Sequence, residues 1–257
     1  MIFETHAHYN DKKYDEDREF LLKELPGQGI GRVVNISASW QDMLKTLELA
    51  SAWPFIYAAV GIHPDHVGEL DPDRFDQLRD YCRADKVVAV GEIGLDYHWD
   101  EEPREVQKDW FRKQLLLARE MELPVVIHSR DAAQDTFDII KEFHAGSDGG
   151  IIHCYSGSVE MARDYVKLGY MIGVGGVVTF KNGRVLKEVV REIDLDHIVV
   201  ETDCPYLAPV PFRGKRNSSA YLPYVIKQIA EIKGLDPDHV EKATWNNAMR
   251  VYRMQQG

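Results

Sequence analysis

The chain has 257 residues, 44% of them hydrophobic and 28% charged, which is the composition of an ordinary folded globular protein. Its formal net charge of −11 at pH 7 argues against a protein that holds duplex DNA through a broad basic face, although a local basic pocket stays compatible with it. The three cysteines indicate no disulfide framework, and no segment has the pattern of a secretion signal or a membrane span. We therefore expect a cytoplasmic protein.

Short apolar segments rich in β-branched residues alternate along the chain with longer segments of helical periodicity. Each apolar segment is predicted to be a buried strand: 2–3, 32–36, 55–60, 87–90, 125–127, 151–152, 171–174 and 198–200. Helices are predicted over 106–121, around 222–233 and from 237 to about 253.

This alternation is the order that a closed parallel barrel requires, so the sequence predicts an α/β fold of the TIM (β/α)8 type. No internal repeat or low-complexity linker divides the chain, and we expect a single domain over 1–257. An open doubly wound sheet is the alternative. It is disfavoured because His6-Ala7-His8, rather than a glycine-rich phosphate turn, follows the first strand.

Side chains that can bind metals come at the carboxyl ends of many predicted strands, and those ends converge on one face of a parallel barrel. Any one of these histidines could equally be a core residue or a surface donor. Five histidines and two carboxylates together predict one site in space: His6, His8, His63, Glu92, His128, His153 and Asp203.

His6 and His8 are two residues apart on an extended segment, so both imidazoles can reach one ion. Imidazole and carboxylate ligands suit zinc, manganese, magnesium or similar divalent ions. Because a single catalytic zinc takes about three protein ligands, the larger set predicts two ions. We expect Glu92 to bridge them with its two oxygens, and Asp203 to bind one ion and accept a proton from, or orient, the attacking hydroxide.

Six strings of this chain resemble the TatD family of metal-dependent deoxyribonucleases, which belongs to the amidohydrolase-like barrels. They are Glu4-Thr5-His6-Ala7-His8, Gly61-Ile62-His63-Pro64, Gly91-Glu92-Ile93-Gly94-Leu95-Asp96-Tyr97, Pro124-Val125-Val126-Ile127-His128-Ser129-Arg130, Ile152-His153-Cys154-Tyr155-Ser156-Gly157 and Glu201-Thr202-Asp203-Cys204-Pro205-Tyr206-Leu207. The resemblance implies a TIM barrel that hydrolyses phosphodiester bonds in DNA. It also implies divalent metal ligands at His6, His8, Glu92, His128, His153 and Asp203.

Candidate substrate contacts lie near the same strand ends. Three cations, Arg213, Lys215 and Arg216, follow the last strand, where they could clamp a phosphate, although a charged segment is more often a solvated loop. His63 and Arg130 are further candidate phosphate contacts, and His63 could instead donate a hydrogen bond to a ligand. Aromatic residues predicted on this face could stack on unpaired bases or pack the loops: Tyr97, Trp99, Tyr155 and Phe180.

Two cysteines adjoin candidate ligands. Alternation along an extended chain should point the thiols of Cys154 and Cys204 away from the site, so we expect structural roles for both. Asp96 is a candidate to support a ligand through a hydrogen bond. The remaining histidines are expected to be solvated: His66, His98, His144, His197 and His239.

Three functions remain open at this point. The first is a metal-dependent deoxyribonuclease that uses metal-activated water to trim single-stranded or frayed DNA ends, since a deep barrel mouth admits one strand more easily than a duplex. The second is a hydrolase of small esters or amides. The third is a metal-dependent binding protein without catalysis. No membrane or obligate protein partner is indicated.

Overall fold

The computed structural model describes residues 1–143 and 149–255. Eight parallel strands form one sheet in which the strands neighbour each other in chain order, and the sheet curls into a nearly closed barrel. The strands are β1 (Ile2–Ala7), β2 (Ile30–Ile36), β3 (Ile56–Val60), β4 (Val87–Asp96), β5 (Val125–Arg130), β6 (Gly150–Ile152), β7 (Met171–Val174) and β8 (Ile198–Val200). The TIM-barrel prediction is confirmed.

The helices surround this barrel. Within the described ranges they are α1 (Arg18–Glu24), α2 (Trp40–Ala52), α3 (Pro72–Tyr81), α4 (Arg104–Glu120), α5 (Ala133–Phe143), α6 (Val159–Lys167), α7 (Arg184–Glu192), α8 (Leu222–Lys233) and α9 (Pro237–Val251). Several begin at a side-chain cap: at the start of α2 the Ser39 hydroxyl accepts a hydrogen bond from the Asp42 amide. Helix α8 ends at Gly234, which has a left-handed conformation. Among the described residues, no helix combines the length and apolar character needed to cross a membrane.

Apolar side chains from every strand fill the inside of the barrel. This cluster includes Val126, Ile151, Met171 and Val199 on β5 to β8. Residues of α9, such as Met249, also belong to it. A second, larger cluster lies between the strands and the surrounding helices. The barrel is therefore a packed core with its free mouth at the carboxyl ends of the strands.

The seam between β1 and β8 is joined mainly by individual hydrogen bonds. An isolated bridge pairs Ala7 with Cys204, and the Asp203 amide donates to the His6 carbonyl over 3.0 Å. The Thr5 hydroxyl donates to the Val200 carbonyl over 3.0 Å. The first and last strands of the sheet thus meet beside the barrel mouth.

Three strands extend beyond their predicted apolar segments at the carboxyl end. β1, β4 and β5 continue through His6, Glu92 and His128, so these side chains lie within strands rather than after them. The pairing register shifts between Val90 and Ile93 on β4, next to Glu92. Such irregularities re-aim side chains at the rim of a barrel.

Candidate metal centre

The six predicted metal ligands meet at the mouth of the barrel. β1, β4 and β5 carry three of them, and the other three follow β1, β6 and β8. The six are His6, His8, Glu92, His128, His153 and Asp203. Of these, His6 is fully buried and Glu92 is 4% exposed, so the centre of the cluster is shielded from bulk water.

One side of the cluster faces the Oε2 atom of Glu92, and we call it the Oε2 side. The Nε2 atoms of His6 and His8 lie 3.0 Å apart, and they are 3.5 and 3.8 Å from Glu92 Oε2. Asp203 Oδ1 is 3.3 Å from His8 Nε2 and 3.8 Å from His6 Nε2. Two imidazoles and two carboxylates therefore surround one point.

The opposite side, which we call the Oε1 side, faces the other oxygen of Glu92. His128 Nδ1 is 2.8 Å from Glu92 Oε1, and His153 Nε2 is 3.8 Å from it. His63 Nε2 lies 4.0 Å away, so His63 belongs to this side of the cluster as well. The two oxygens of one carboxylate thus face two separate groups of histidines.

Two of the histidines also have a hydrogen-bond partner on the nitrogen that points away from Glu92. His8 Nδ1 is 3.1 Å from the Ile36 carbonyl, and His128 Nε2 is 2.9 Å from Asp96 Oδ2. His153 Nδ1 lies 3.0 Å from Glu201 Oε1, close enough for an ion pair but without hydrogen-bond geometry. Partners of this kind fix the orientation and tautomer of metal-binding imidazoles, so Asp96 has the supporting position that the sequence predicts for it.

The site electrostatics keep the carboxylates ionised. Burial alone would raise the pKa of Glu92, but the neighbouring His153 and His6 lower it well below its ordinary value. Burial opposes ionisation of Asp203 too, yet its hydrogen bond with His8 lowers its pKa. Both carboxylates can therefore ligate or accept a proton at neutral pH.

The histidines differ among themselves. Burial lowers the pKa of His63 to about 3, which leaves a neutral imidazole. Burial also works against protonation of His128, but its hydrogen bonds to Asp96 and Glu92 raise its pKa to about 9. A metal bound by His128 must displace that proton.

The donor atoms fit divalent cations. Those of His6, His8 and Asp203 lie within 4.8 Å of one another, and so do those of His63, Glu92 and His128. Such separations suit ligands that each lie about 2.0–2.2 Å from a shared ion, and the mixture of imidazole and carboxylate suits zinc-like or manganese-like ions. The residues of this chain thus fit bound metal on both sides of Glu92.

The basic segment after β8 divides into two parts. Arg216 forms an ion pair with Asp17, with 2.5 Å between Arg216 Nη2 and Asp17 Oδ2, so its charge is already partnered. Arg213 and Lys215 are exposed and have no ion pair among the described residues, and the Arg213 guanidinium lies 4.4 Å from the Phe180 ring. Arg213 and Lys215 are therefore the stronger phosphate-contact candidates.

The four predicted aromatic contacts have different environments. Trp99 is 59% exposed, with the exposed Arg130 guanidinium 5.3 Å from its ring. Tyr155 is 5% exposed and donates to the Ser158 carbonyl, so of the two alternatives its ring packs in the core instead of stacking on a base. Phe180 is also mostly buried, and Tyr97 is half-buried with its hydroxyl on Asp135.

Cys154 corrects another prediction. Its thiol lies within 4.8 Å of donor atoms of His153 and Asp203, because Cys154 has a left-handed backbone, with φ of 44°, that breaks strand alternation. Cys204 is buried, as a structural residue would be.

Of the histidines expected in solvent, three are exposed and one is partly exposed, while one lies outside the described residues. The three exposed histidines are His66, His98 and His239. His197 is partly exposed, and His144 is the one outside the described residues.

Two fully buried carboxylates have no role predicted from the sequence. Glu201 is fully buried beside His153, and Glu4 is fully buried beside the seam, where it accepts the amides of His6 and Thr202. Strand alternation could have found Glu201, because it stands two residues before Asp203 and two after the interior residue Val199.

A parallel barrel with buried histidines and carboxylates at its carboxyl mouth is the architecture of metal-dependent hydrolases. The family model for TatD related DNase matches residues 3–253. The chain therefore belongs to the TatD family and is a metal-dependent hydrolase.

Individual relatives agree with this assignment over nearly their whole length. An uncharacterized metal-dependent hydrolase, YabD of Bacillus subtilis, is 42% identical and covers 99% of this chain and 100% of its own. The 3'-5' ssDNA/RNA exonuclease TatD of a Rahnella species is 30% identical over 98% of both chains. The crystal structure of YjjV, a TatD homologue of Escherichia coli, has a TM-score of 0.93 and 30% identity, covering 99% of this chain and 98% of its own.

Proposed function

We propose that this protein is a two-metal deoxyribonuclease that cleaves phosphodiester bonds at single-stranded or frayed DNA ends. The observation that carries the proposal is the position of Glu92. Its Oε2 atom faces His6 and His8, while its Oε1 atom faces His128 and His153. A carboxylate placed between two groups of ligands is the bridge that a pair of neighbouring divalent ions needs.

His6, His8 and Asp203 would hold one ion, and His128 and His153 the other, with Glu92 shared between them. When bound, the ions would stabilise negative charge on the phosphoryl oxygens and make water a stronger nucleophile at neutral pH. The lowered pKa of Asp203 leaves its carboxylate free to accept a proton from that water. We assign Glu92 and Asp203 the catalytic roles.

Substrate phosphates would meet the exposed cations at the rim. Arg213 can bind a phosphate with two parallel hydrogen bonds, and Lys215 adds a second positive charge. The neutral His63 can donate a hydrogen bond to a phosphate near the ions or complete the ligands on the Oε1 side. Arg130 is the candidate for a neighbouring phosphate, and Arg216 could join it where its ion pair with Asp17 opens.

Two observations favour an unpaired strand. The net charge of −11 disfavours a broad duplex-binding face, and the exposed Trp99 ring at the rim can stack on an unpaired base. The name of the Rahnella relative, a 3'-5' ssDNA/RNA exonuclease, supports the same substrate class and adds RNA to the substrates worth testing. The three free cysteines agree with a reducing compartment, so we propose a cytoplasmic location.

Metal analysis and strand cleavage test the proposal together. Purified protein should contain about two divalent ions per chain, and chelation should abolish degradation of end-labelled single-stranded DNA. Manganese, magnesium or zinc, added separately, should restore it, and labels at the 5' and 3' ends should give the direction of trimming. Metal binding without cleavage of DNA, RNA or a chromogenic ester would indicate a binding protein instead.

Variants separate nucleic acids from small substrates. Arg213→Ala should raise KM for single-stranded DNA about tenfold, because one charge-assisted phosphate contact is lost, and should leave hydrolysis of a small chromogenic ester unchanged. Arg163→Ala, on the outer surface of α6, is the matched control and should change neither. Equal effects of Arg213→Ala on the DNA and the ester would favour the small-molecule hydrolase.

A further inference from the structure

Three unpartnered polar atoms lie on neighbouring buried residues below the metal centre. The atoms are His6 Nδ1, His153 Nδ1 and Glu201 Oε2, each buried without a hydrogen-bond partner. His6 and Glu201 are fully buried and His153 is 6% exposed. Donor atoms of these three residues also lie within 4.8 Å of one another. Unpaired polar atoms are costly in a core, so this concentration calls for a shared partner.

Glu201 reaches His153 across a gap left by a glycine. A Cβ atom built on Gly173 of β7 would lie 2.6 Å from Glu201 Oε2, so the carboxylate occupies the space of that missing side chain. The other oxygen, Oε1, accepts the Cys154 amide over 2.6 Å and lies 3.0 Å from His153 Nδ1. Gly173 therefore allows Glu201, the residue after β8, to support a histidine that follows β6.

The same carboxylate lies near His6 because the two imidazoles stack. Their ring centroids are 3.4 Å apart and their planes differ by 17°. Both Nε2 atoms face Glu92, at 3.5 Å for His6 and 3.8 Å for His153, which leaves both Nδ1 atoms for the opposite side. His6 belongs to the Oε2 side and His153 to the Oε1 side.

A third cation in this position is chemically unfavourable. Each imidazole would have to bind metal through both nitrogens, which requires loss of its ring N–H proton. If Nε2 binds metal instead, the neutral ring keeps its proton on Nδ1 and needs an acceptor there. Glu201 offers two carboxylate oxygens, one of which has no partner.

We propose that Glu201 is a positioning residue that accepts hydrogen bonds from both His6 and His153, directly or through one buried water, and so orients one ligand on each side of Glu92. This inference rests on the proposed two-ion centre and deepens it. One carboxylate then couples the two metal positions, whereas Asp96 supports His128 alone.

Metal titration of two matched variants tests the coupling. Calorimetric titration of metal-stripped protein with Mn²⁺ should show that Glu201→Gln weakens both binding events by about 10- to 100-fold. Asp96→Asn also removes one carboxylate that touches an imidazole, but it should weaken only one event. A Glu201→Gln variant that folds and loses affinity at one event or neither would overturn the inference.

A second variant keeps the carboxylate but moves it. Gly173→Ala places a methyl group against Glu201 Oε2 and should weaken both Mn²⁺ binding events, as Glu201→Gln does. Gly175→Ala is the control, because its nearest contact, the Glu201 carbonyl, is 3.4 Å away, which is ordinary packing. Gly173→Ala protein that is folded and binds both ions as tightly as the Gly175→Ala control would contradict the role of Glu201.

Histidine tautomers provide a readout that is independent of activity. Nitrogen-15 NMR of the zinc-loaded protein should show His6 and His153 protonated on Nδ1, with the Nδ1 shifts changed by Glu201→Gln. Unchanged shifts would overturn the inference and leave the nuclease proposal intact. Tight binding of two ions without cleavage of nucleic acid would overturn the nuclease proposal and leave the role of Glu201 intact.

Discussion

The Glu4 side chain is fully buried beside the seam of the barrel. Its carboxylate accepts the amides of His6 and Thr202 and the Thr202 hydroxyl, so it joins the strand segments that carry His6 and Asp203. Burial raises the pKa of Glu4 from 4.5 to about 7, although these hydrogen bonds oppose the shift. The folded protein therefore keeps a proton on Glu4 at pH values where the unfolded chain has lost it.

That shift gives a pH-dependent prediction for metal-free protein. As pH rises from 4.5 to about 7, the unfolded state gains stability by ionising first, so the contribution of Glu4 to folding becomes less favourable. The wild type should lose roughly 2–3 kcal/mol of unfolding free energy relative to Glu4→Gln over this window. Urea denaturation at about pH 5 and about pH 8, with chelator present, measures the difference.

The exposed Glu188 on α7 provides the control. Glu188→Gln removes a carboxyl that is exposed to water, so its difference from the wild type at the two pH values is the baseline for the Glu4 comparison. A wild type and Glu4→Gln pair whose difference stays constant with pH would contradict the buried, protonated Glu4.

Single ligands could be predicted from the sequence because polar residues stand out at the ends of apolar strands. The same reasoning, continued along the inside of the barrel, would have found Glu201: it follows Val199 by two residues, as His128 follows Val126 and His153 follows Ile151. The thiol of Cys154 could not be placed in this way. Its left-handed backbone conformation is a tertiary result that alternation does not contain.

At the scale of elements, helices were easier to predict than strand ends. The prediction over 222–233 matches α8, and the one over 106–121 differs from α4 by only a few residues. β4 instead continues six residues past its apolar segment, through Gly91, Glu92 and Asp96. The hydrophobic pattern of a strand ends where its residues begin to line the site. The polar residues that continue the strand therefore resemble loop residues in the sequence.

The contact between α9 and β1 gives an element-scale prediction. The Tyr252 hydroxyl, just after α9, donates to the Thr5 carbonyl over 2.8 Å in a buried setting. Tyr252→Phe leaves that carbonyl without this donor and should lower the unfolding free energy by about 1–3 kcal/mol. Chemical denaturation compares it with Tyr224→Phe, whose exposed ring should make the substitution nearly neutral. Equal losses in the two variants would contradict the importance of this buried contact.

Ligands at the barrel mouth come from β1, β4 and β5 and from the segments after β1, β6 and β8, so metal should stabilise the molecule as a whole. An ion that binds only the folded state adds about 2.7 kcal/mol at one hundred times its dissociation constant. For a chain of this size, we expect a rise in Tm of about 5–10 °C. Differential scanning calorimetry with and without chelator measures the shift. The Tm of Glu92→Gln should rise much less with metal. A rise equal to that of the wild type would contradict the central place of Glu92.

The seam has a consequence for biosynthesis. His6 and His8 leave the ribosome almost two hundred residues before Asp203 and β8, the strand that completes the barrel. Pairings so distant along the chain close late, and until then the edge of β1 has no partner from β8. The nascent chain therefore cannot complete its cation pocket until β8 and Asp203 have been translated.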